Sequence, residues 1–220
     1  MPRGLLVVLG ALSAFGPLSI DLYLPALPAL AADLASTGPV AQLTMTACMV
    51  GLAVGQLLLG PVSDRYGRRA PLLIGVAAFA ATSFACALAT DIGVLIVLRL
   101  AQGLAGGAGL VIARAVVRDL CDTAAAARVF SLLMLVTGVA PVLAPVVGAQ
   151  ILRLTRWQGT FVALGIVGCA LLAAAVWGVR ESLPPERRSR AGLAASGRLI
   201  LTVLRDPVFR TYTAVLALGS

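Results

Sequence analysis

Charged residues are far apart along this chain. None occurs from Leu34 to Ser63, from Pro71 to Thr90, from Val129 to Leu152 or from Trp157 to Val179. About 20 apolar residues carry a helix across the hydrocarbon core of a bilayer, so each run predicts a membrane span. With the apolar stretches around Asp21 and Arg99 they give six spans, at 5–28, 41–63, 70–90, 92–114, 128–151 and 158–179. The first begins almost at Met1, exceeds a signal-peptide core in length, and carries Pro25 and Pro28 where a cleavage site would lie, so it reads as retained. The expected fold is an all-α multi-pass membrane protein. Composition agrees: at 60% apolar and 12% charged residues, a water-soluble domain of 220 residues would expose large apolar patches.

Beyond residue 180 the pattern changes. Pro184, Pro185, Arg187, Arg188 and Arg190 read as a solvated linker. Leu193, Leu199, Ile200, Val203 and Leu204 recur at roughly helical spacing beside Arg198 and Arg205, as in a short interfacial helix. From Val208 the chain turns apolar again. The expected organisation is a six-helix bundle at 1–180, a cytoplasmic linker at 181–207 and the start of a seventh span at 208–220, so the chain reads as truncated.

All seventeen basic residues are arginines. Fourteen fall on one side of the six spans, from Arg3 through Arg65, Arg68, Arg69, Arg114, Arg118 and Arg128 to the group from Arg180 to Arg210. Arg153 and Arg156 fall on the other side, and Arg99 lies within a span. The positive-inside rule then places the N-terminus in the cytoplasm. The net charge of +8 is explained by the same clusters, which lack the interleaved aromatics of a nucleic-acid surface, so no nucleic-acid partner is expected. The chain has no His, which removes His-based metal sites and catalytic triads. No nucleophile and base constellation stands out, and neither an enzyme nor a metal site is expected. Cys48, Cys86 and Cys169 lie in apolar spans and Cys121 in a loop, without metal or disulfide spacing.

Two charges remain inside spans. Asp21 and Arg99 each lie seven residues from the same membrane surface, roughly 10 Å deep at the helical rise. Such residues cost on the order of 2.5–3.5 kcal/mol near the bilayer centre and normally face a cavity or a partner. Arg99, Gln102, Gly103 and Gly106 share one helix face by spacing, and Asp21 is the expected counter-charge of Arg99. Two readings stand: a proton- or cation-binding carboxylate tuned by Arg99, or a static pair joining two helices. Gly51 and Gly55, like Gly103 and Gly107, form GxxxG pairs that read as helix-packing surfaces.

Between the second and third spans, Gly60, Pro61, Val62, Ser63, Asp64, Arg65, Tyr66, Gly67, Arg68 and Arg69 form a tight hairpin. This segment resembles the cytoplasmic loop signature of the major facilitator superfamily. Arg99 to Gly107 resembles the fourth-helix pattern of that family, and Gly138 to Gly148 its fifth-helix antiporter pattern, with Ala144 and Ala149 where glycines are usual. The segment Asp21 to Pro28, with Arg114 to Asp119, is similar to the bicyclomycin and chloramphenicol resistance (Bcr/CflA) subfamily.

The resemblance implies the N-terminal six-helix bundle of a twelve-helix drug:proton antiporter in the bacterial inner membrane, built of inverted three-helix repeats, with the C-terminal half still required for activity. It implies no cofactor other than the proton-motive force. Its partners would be protons, the lipid bilayer and small drugs like bicyclomycin or chloramphenicol. It implies proton and substrate roles for Asp21, Arg99 and Gln102, and a cytoplasmic gate at Gly60, Asp64, Arg65, Gly67, Arg68 and Arg69 with Asp119 as an added partner. Gly138, Pro141, Pro145 and Gly148 would shape a bent antiporter helix against the second half. A metabolite symporter and a truncated half or membrane scaffold without transport are the competing readings.

Overall fold

The computed structural model describes residues 2–189. Among them are seven α-helices: α1 (Arg3–Asp21), α2 (Leu27–Asp33), α3 (Gly38–Tyr66), α4 (Arg69–Ala87), α5 (Ile92–Leu120), α6 (Thr123–Leu154) and α7 (Gln158–Gly178). Short 3-10 turns lie at Leu24–Ala26 and Pro185–Arg187. Taking α1 and α2 as one crossing, six spans are long and apolar enough to cross a membrane. The interfacial helix expected near 193–204 and the seventh span expected from 208 lie outside the described residues.

The acidic residues at the ends of the apolar runs act as caps. Asp91 Oδ1 accepts the amides of Gly93 at 2.8 Å and Val94 at 3.1 Å, starting α5. Asp122 Oδ1 accepts the Ala125 amide at 2.8 Å and starts α6. Capping satisfies amides that the first helical turn leaves without partners. α6 starts earlier than its charge-free stretch suggests, at the Asp122 cap, while α3 and α5 run on past theirs to Tyr66 and Leu120 through the charged residues at their C-terminal ends.

The first span departs further from expectation. The apolar pattern predicts one helix to residue 28, but α1 stops at Asp21 and helix resumes after the Leu24–Ala26 turn, running to Asp33. Pro25 and Pro28 cannot donate the amide bonds that the Asp21 and Leu24 carbonyls would otherwise accept. By contrast, α6 runs through Pro141 and Pro145 without interruption.

α1 and α5 form the centre of the bundle. α3 leans on α5, α6 leans on α1, and α4 packs against α7. Buried side chains divide into one group around Tyr23, Phe79, Leu95 and Phe161 and a second around Leu12, Val76, Ile112 and Val129. α3 and α6 leave long apolar sides uncovered, including Met49, Val54 and Leu57 on the former and Met134, Val142 and Val146 on the latter.

The α3–α5 contact is made backbone to backbone. A Cβ on Gly51 would stand 2.2 Å from the Leu100 carbonyl oxygen, and one on Gly55 would stand 2.2 Å from that of Leu104. In return, a Cβ on Gly103 would stand 2.1 Å from the Cys48 oxygen. The two GxxxG pairs therefore face each other, as small residues do where membrane helices approach closely.

Gly103→Val is expected to destabilise the bundle by about 3 kcal/mol or more, at the upper end of overpacking costs, because the obstacle is backbone. Gly138→Ala meets nothing within 4 Å and should be neutral or stabilising by up to about 1 kcal/mol. Unfolding of the detergent-solubilised protein in mixed micelles would compare the two.

Candidate functional site

Arg99 is fully buried, about a quarter of the way along α5. Its Nη1 donates to Gln102 Oε1 at 2.6 Å and its Nη2 to the Ser19 carbonyl at 3.2 Å. The guanidinium carbon lies 4.4 Å from the ring centroid of Tyr23 and 5.5 Å from that of Phe161. Gln102 Nε2 donates to Ser83 Oγ at 2.7 Å, and Ser83 Oγ donates to the Phe79 carbonyl at 2.7 Å. The Tyr23 hydroxyl is hydrogen-bonded to Thr44 Oγ1, which donates to the Ala41 carbonyl at 2.6 Å. One connected polar layer thus joins α1, α3, α4 and α5. Desolvated cation–π contacts are worth about 2 kcal/mol or more and hydrogen bonds to a charged group about 1.5–3 kcal/mol, enough together to offset the cost of a charge at this depth.

Asp21 is not the counter-charge. It makes no ion pair among the described residues. Ser19 and Tyr23 are four residues apart and share the face of α1 turned to Arg99. Asp21, midway between them, is rotated about 200° from each along a helical path. It falls instead on the less covered stripe of α1 that includes Val7, Ala11 and Leu18. The facing side of Asp21 depends on how α1 is rotated, which residue counting does not give. Next to this stripe, an apolar groove of about 590 Å³ begins at Leu18 and Leu22 and runs between α6 and α7 past Leu143, Ala144 and Leu164.

At the hairpin, Gly67 has φ of 94°, a conformation that favours glycine. The turn aims Arg68 back beneath the bundle, where it is 3% exposed. Its guanidinium bridges Asp64 and Asp119, the latter at 2.9 Å, and donates to Ser63 Oγ at 2.8 Å. Burial pushes the Arg68 pKa down, but hydrogen bonds and charge from Asp119 and Asp64 outweigh it, so the guanidinium is held above its ordinary range. Arg65 and Arg69, expected at the gate together with Asp64 and Arg68, point outward. Arg65 lies over the Tyr66 ring, and Arg69 Nη2 donates to the Val176 carbonyl at 2.9 Å. Three arginines in five residues look alike in sequence, and the backbone turn selects the middle one.

Glu181, the first residue of the expected cytoplasmic linker, closes this cluster. Its Oε1 accepts the Arg68 amide at 2.8 Å and its Oε2 the Arg69 amide at 3.3 Å, at the N-terminus of α4. A Cβ on Gly67 would stand 2.4 Å from Glu181 Oε2. Partial burial raises the Glu181 pKa, but the amides of Arg68, Leu183 and Arg69 and the charge of Arg188 win, holding it below the usual carboxylate range. Nearby, Ser182 Oγ donates to Asp119 at 3.1 Å and the Ser189 amide donates to the Asp64 carbonyl at 2.9 Å. Residues 181–189 therefore strap the hairpin to the bundle. A pairing more than a hundred positions apart leaves no local signal.

The antiporter-like segment is used unevenly. A Cβ on Gly148 would stand 1.9 Å from the Leu22 carbonyl oxygen, so this glycine seats α6 against the break in the first span. Gly138 has open space around it, and Ala144 is buried.

The profile of the Major Facilitator Superfamily matches residues 8–220. The chain belongs to the Major Facilitator Superfamily. An uncharacterized MFS-type transporter, YdgK, from Bacillus subtilis is 43% identical over 93% of this chain and 52% of that protein. A bicyclomycin resistance protein homolog from Haemophilus influenzae is 31% identical over 97% of this chain and 54% of that protein. The fold is similar to the crystal structure of the human organic anion transporter MFSD10, with a TM-score of 0.74, 20% identity and coverage of 93% of this chain and 55% of that one. The chain spans about half the length of the curated relatives it matches, and within the superfamily it corresponds to the N-terminal six-helix half.

The strap is testable by pH. Because the folded pKa of Glu181 is depressed, its contribution is present above the ordinary value of 4.5 and is lost as pH falls through the folded value below it. Amide exchange should show Arg68 and Arg69 losing protection below pH 4.5, and Glu181→Gln should show the loss at neutral pH. The expected change is roughly tenfold, the equivalent of one charge-assisted hydrogen bond. Unchanged protection in both cases would remove Glu181 from the hairpin's support.

Proposed function

We propose that this chain is the first half of a secondary exporter that expels small drugs in exchange for protons across a bacterial inner membrane, with its N-terminus in the cytoplasm. The observation that carries the reading is the unpaired Asp21 on the open stripe of α1, at membrane depth and beside an apolar groove. An unpaired carboxylate in a span is costly unless it faces a cavity, and one that exchanges a proton for a cationic or polar substrate has a use there. A relative named for bicyclomycin resistance supports drug as the substrate class.

Arg99 is a positioning residue in this scheme. By bonding the Ser19 carbonyl and stacking on Tyr23, it holds the two turns of α1 that carry Asp21. The Asp64–Arg68–Asp119 cluster, backed by Glu181, is the rigid edge that meets the second half when the cytoplasmic side closes. Alternating access requires that second half to rock against this one.

The test is efflux from inverted vesicles carrying the full-length transporter, with and without an imposed proton gradient. Asp21→Asn is expected to insert normally and to lose gradient-driven efflux by on the order of tenfold or more, since typical coupling free energies correspond to factors of roughly 5 to 150. Arg99→Ala should lower both efflux and thermal stability. Wild-type coupling in Asp21→Asn would place the proton site elsewhere.

A further inference from the structure

The six spans repeat as two triplets, the first made of α1 with α2, α3 and α4 and the second of α5, α6 and α7. Exchanging the triplets turns the α3–α5 contact into the α6–α1 contact and leaves the α4–α7 contact unchanged, and each of these contacts is present. The glycine seams obey the same exchange: Gly51 and Gly55 of α3 meet carbonyls of α5, and Gly148 of α6 meets the Leu22 carbonyl at the end of α1. Three crossings are an odd number, so the second triplet lies inverted in the membrane relative to the first, as in transporters built from inverted repeats. The counterpart of the α3–α4 hairpin is therefore the α6–α7 corner at the opposite membrane surface.

That corner carries a matching contact. On the hairpin side, Arg68 immediately precedes α4 and bonds Asp119, near the end of α5, at 2.9 Å. On the opposite side, Trp157 immediately precedes α7, and its Nε1 donates at 2.7 Å to Oδ2 of Asp33, the last residue of α2. Both donors are buried. Ala115 and Ala29, each four residues before the acid, line a cleft beside the contact, of about 220 Å³ at the hairpin and about 370 Å³ at the corner. Gln158 Nε2 adds a longer bond of 3.4 Å to Asp33. The Trp157 ring meets Phe161 edge-on with centroids 6.0 Å apart, and Phe161 in turn lies against Arg99. An indole standing where the hairpin has a guanidinium hides the correspondence in the sequence. We propose that Asp33 and Trp157 are a positioning pair: they lock the end of the first span to the α6–α7 corner, making it the edge on which the second half closes at this surface, as the Arg68 cluster is at the other. The pair rests on the alternating-access part of the function proposed above, with this surface outermost, and not on the identity of the drug or the coupling ion.

Amide exchange read by mass spectrometry on the purified full-length transporter, without substrate or gradient, tests it in the second half, which none of the substitutions touches. Trp157→Phe removes the indole donor and keeps a ring, and Asp33→Ala removes the acceptor. Each loosens the outer edge, so both should shift the balance toward the outward-open state by about fivefold or more, the low end of typical coupling. Exchange should rise at the outer ends of the second half's helices and fall at their cytoplasmic ends. Arg68→Ala, at the counterpart, should move the same peptides the opposite way. Asp33→Asn, which keeps an oxygen for the indole, should stay near the wild-type balance. Asp33 is exposed, so Asp33→Ala keeps the test open if Trp157→Phe does not fold. A contact that only stabilises the fold would lower the melting temperature of the Asp33→Ala and Trp157→Phe variants and leave the balance unmoved. That result, or a shift in the same direction as Arg68→Ala, would overturn the proposal. Because neither drug nor proton gradient enters the measurement, failure of the export reading in the vesicle assay is seen separately.

Discussion

Backbone contact between α3 and α5 sets the geometry of everything around it. Where Gly51 and Gly55 meet Leu100 and Leu104, and Gly103 meets Cys48, no side chain separates the two helices. In a bilayer the apolar surfaces of helices gain little by leaving lipid, so close packing and polar contacts must supply the association. A seam without side chains allows only one rotation of α5. With Gly103 and Gly107 turned to α3, Arg99 and Gln102 are turned toward α1 and α4, and the polar layer follows from that rotation.

The same rotation separates the two intramembrane charges. Arg99 is enclosed by Ser19, Tyr23, Phe161 and Gln102, which together take the place of a carboxylate. Asp21 is left on the other side of α1, where the helix ends at a proline-enforced break. The break exposes carbonyls that Gly148 of α6 can approach closely. A buried cation thus stands behind the first span and a carboxylate without an ion-pair partner among the described residues in front of it.

On the hairpin side, one buried arginine gathers two acids from different helices, and the chain leaving α7 returns to cover the same turn. Breaking such a cluster by removing one partner strands the remaining buried charge, which is far costlier than never having built it. Residues 181–189 are therefore part of the rigid half.

The six spans, their helical class and the two glycine pairs were legible in the sequence, because hydrocarbon thickness and backbone satisfaction act locally on every residue. The sequence did not reveal that Asp21 and Arg99 face apart, that Arg68 and not Arg65 or Arg69 turns inward, or that Glu181 completes the hairpin. Each of these depends on how helices are rotated against one another or on contacts between distant positions. Rotation is chosen by the packing of all the helices together, and only the tertiary structure contains it.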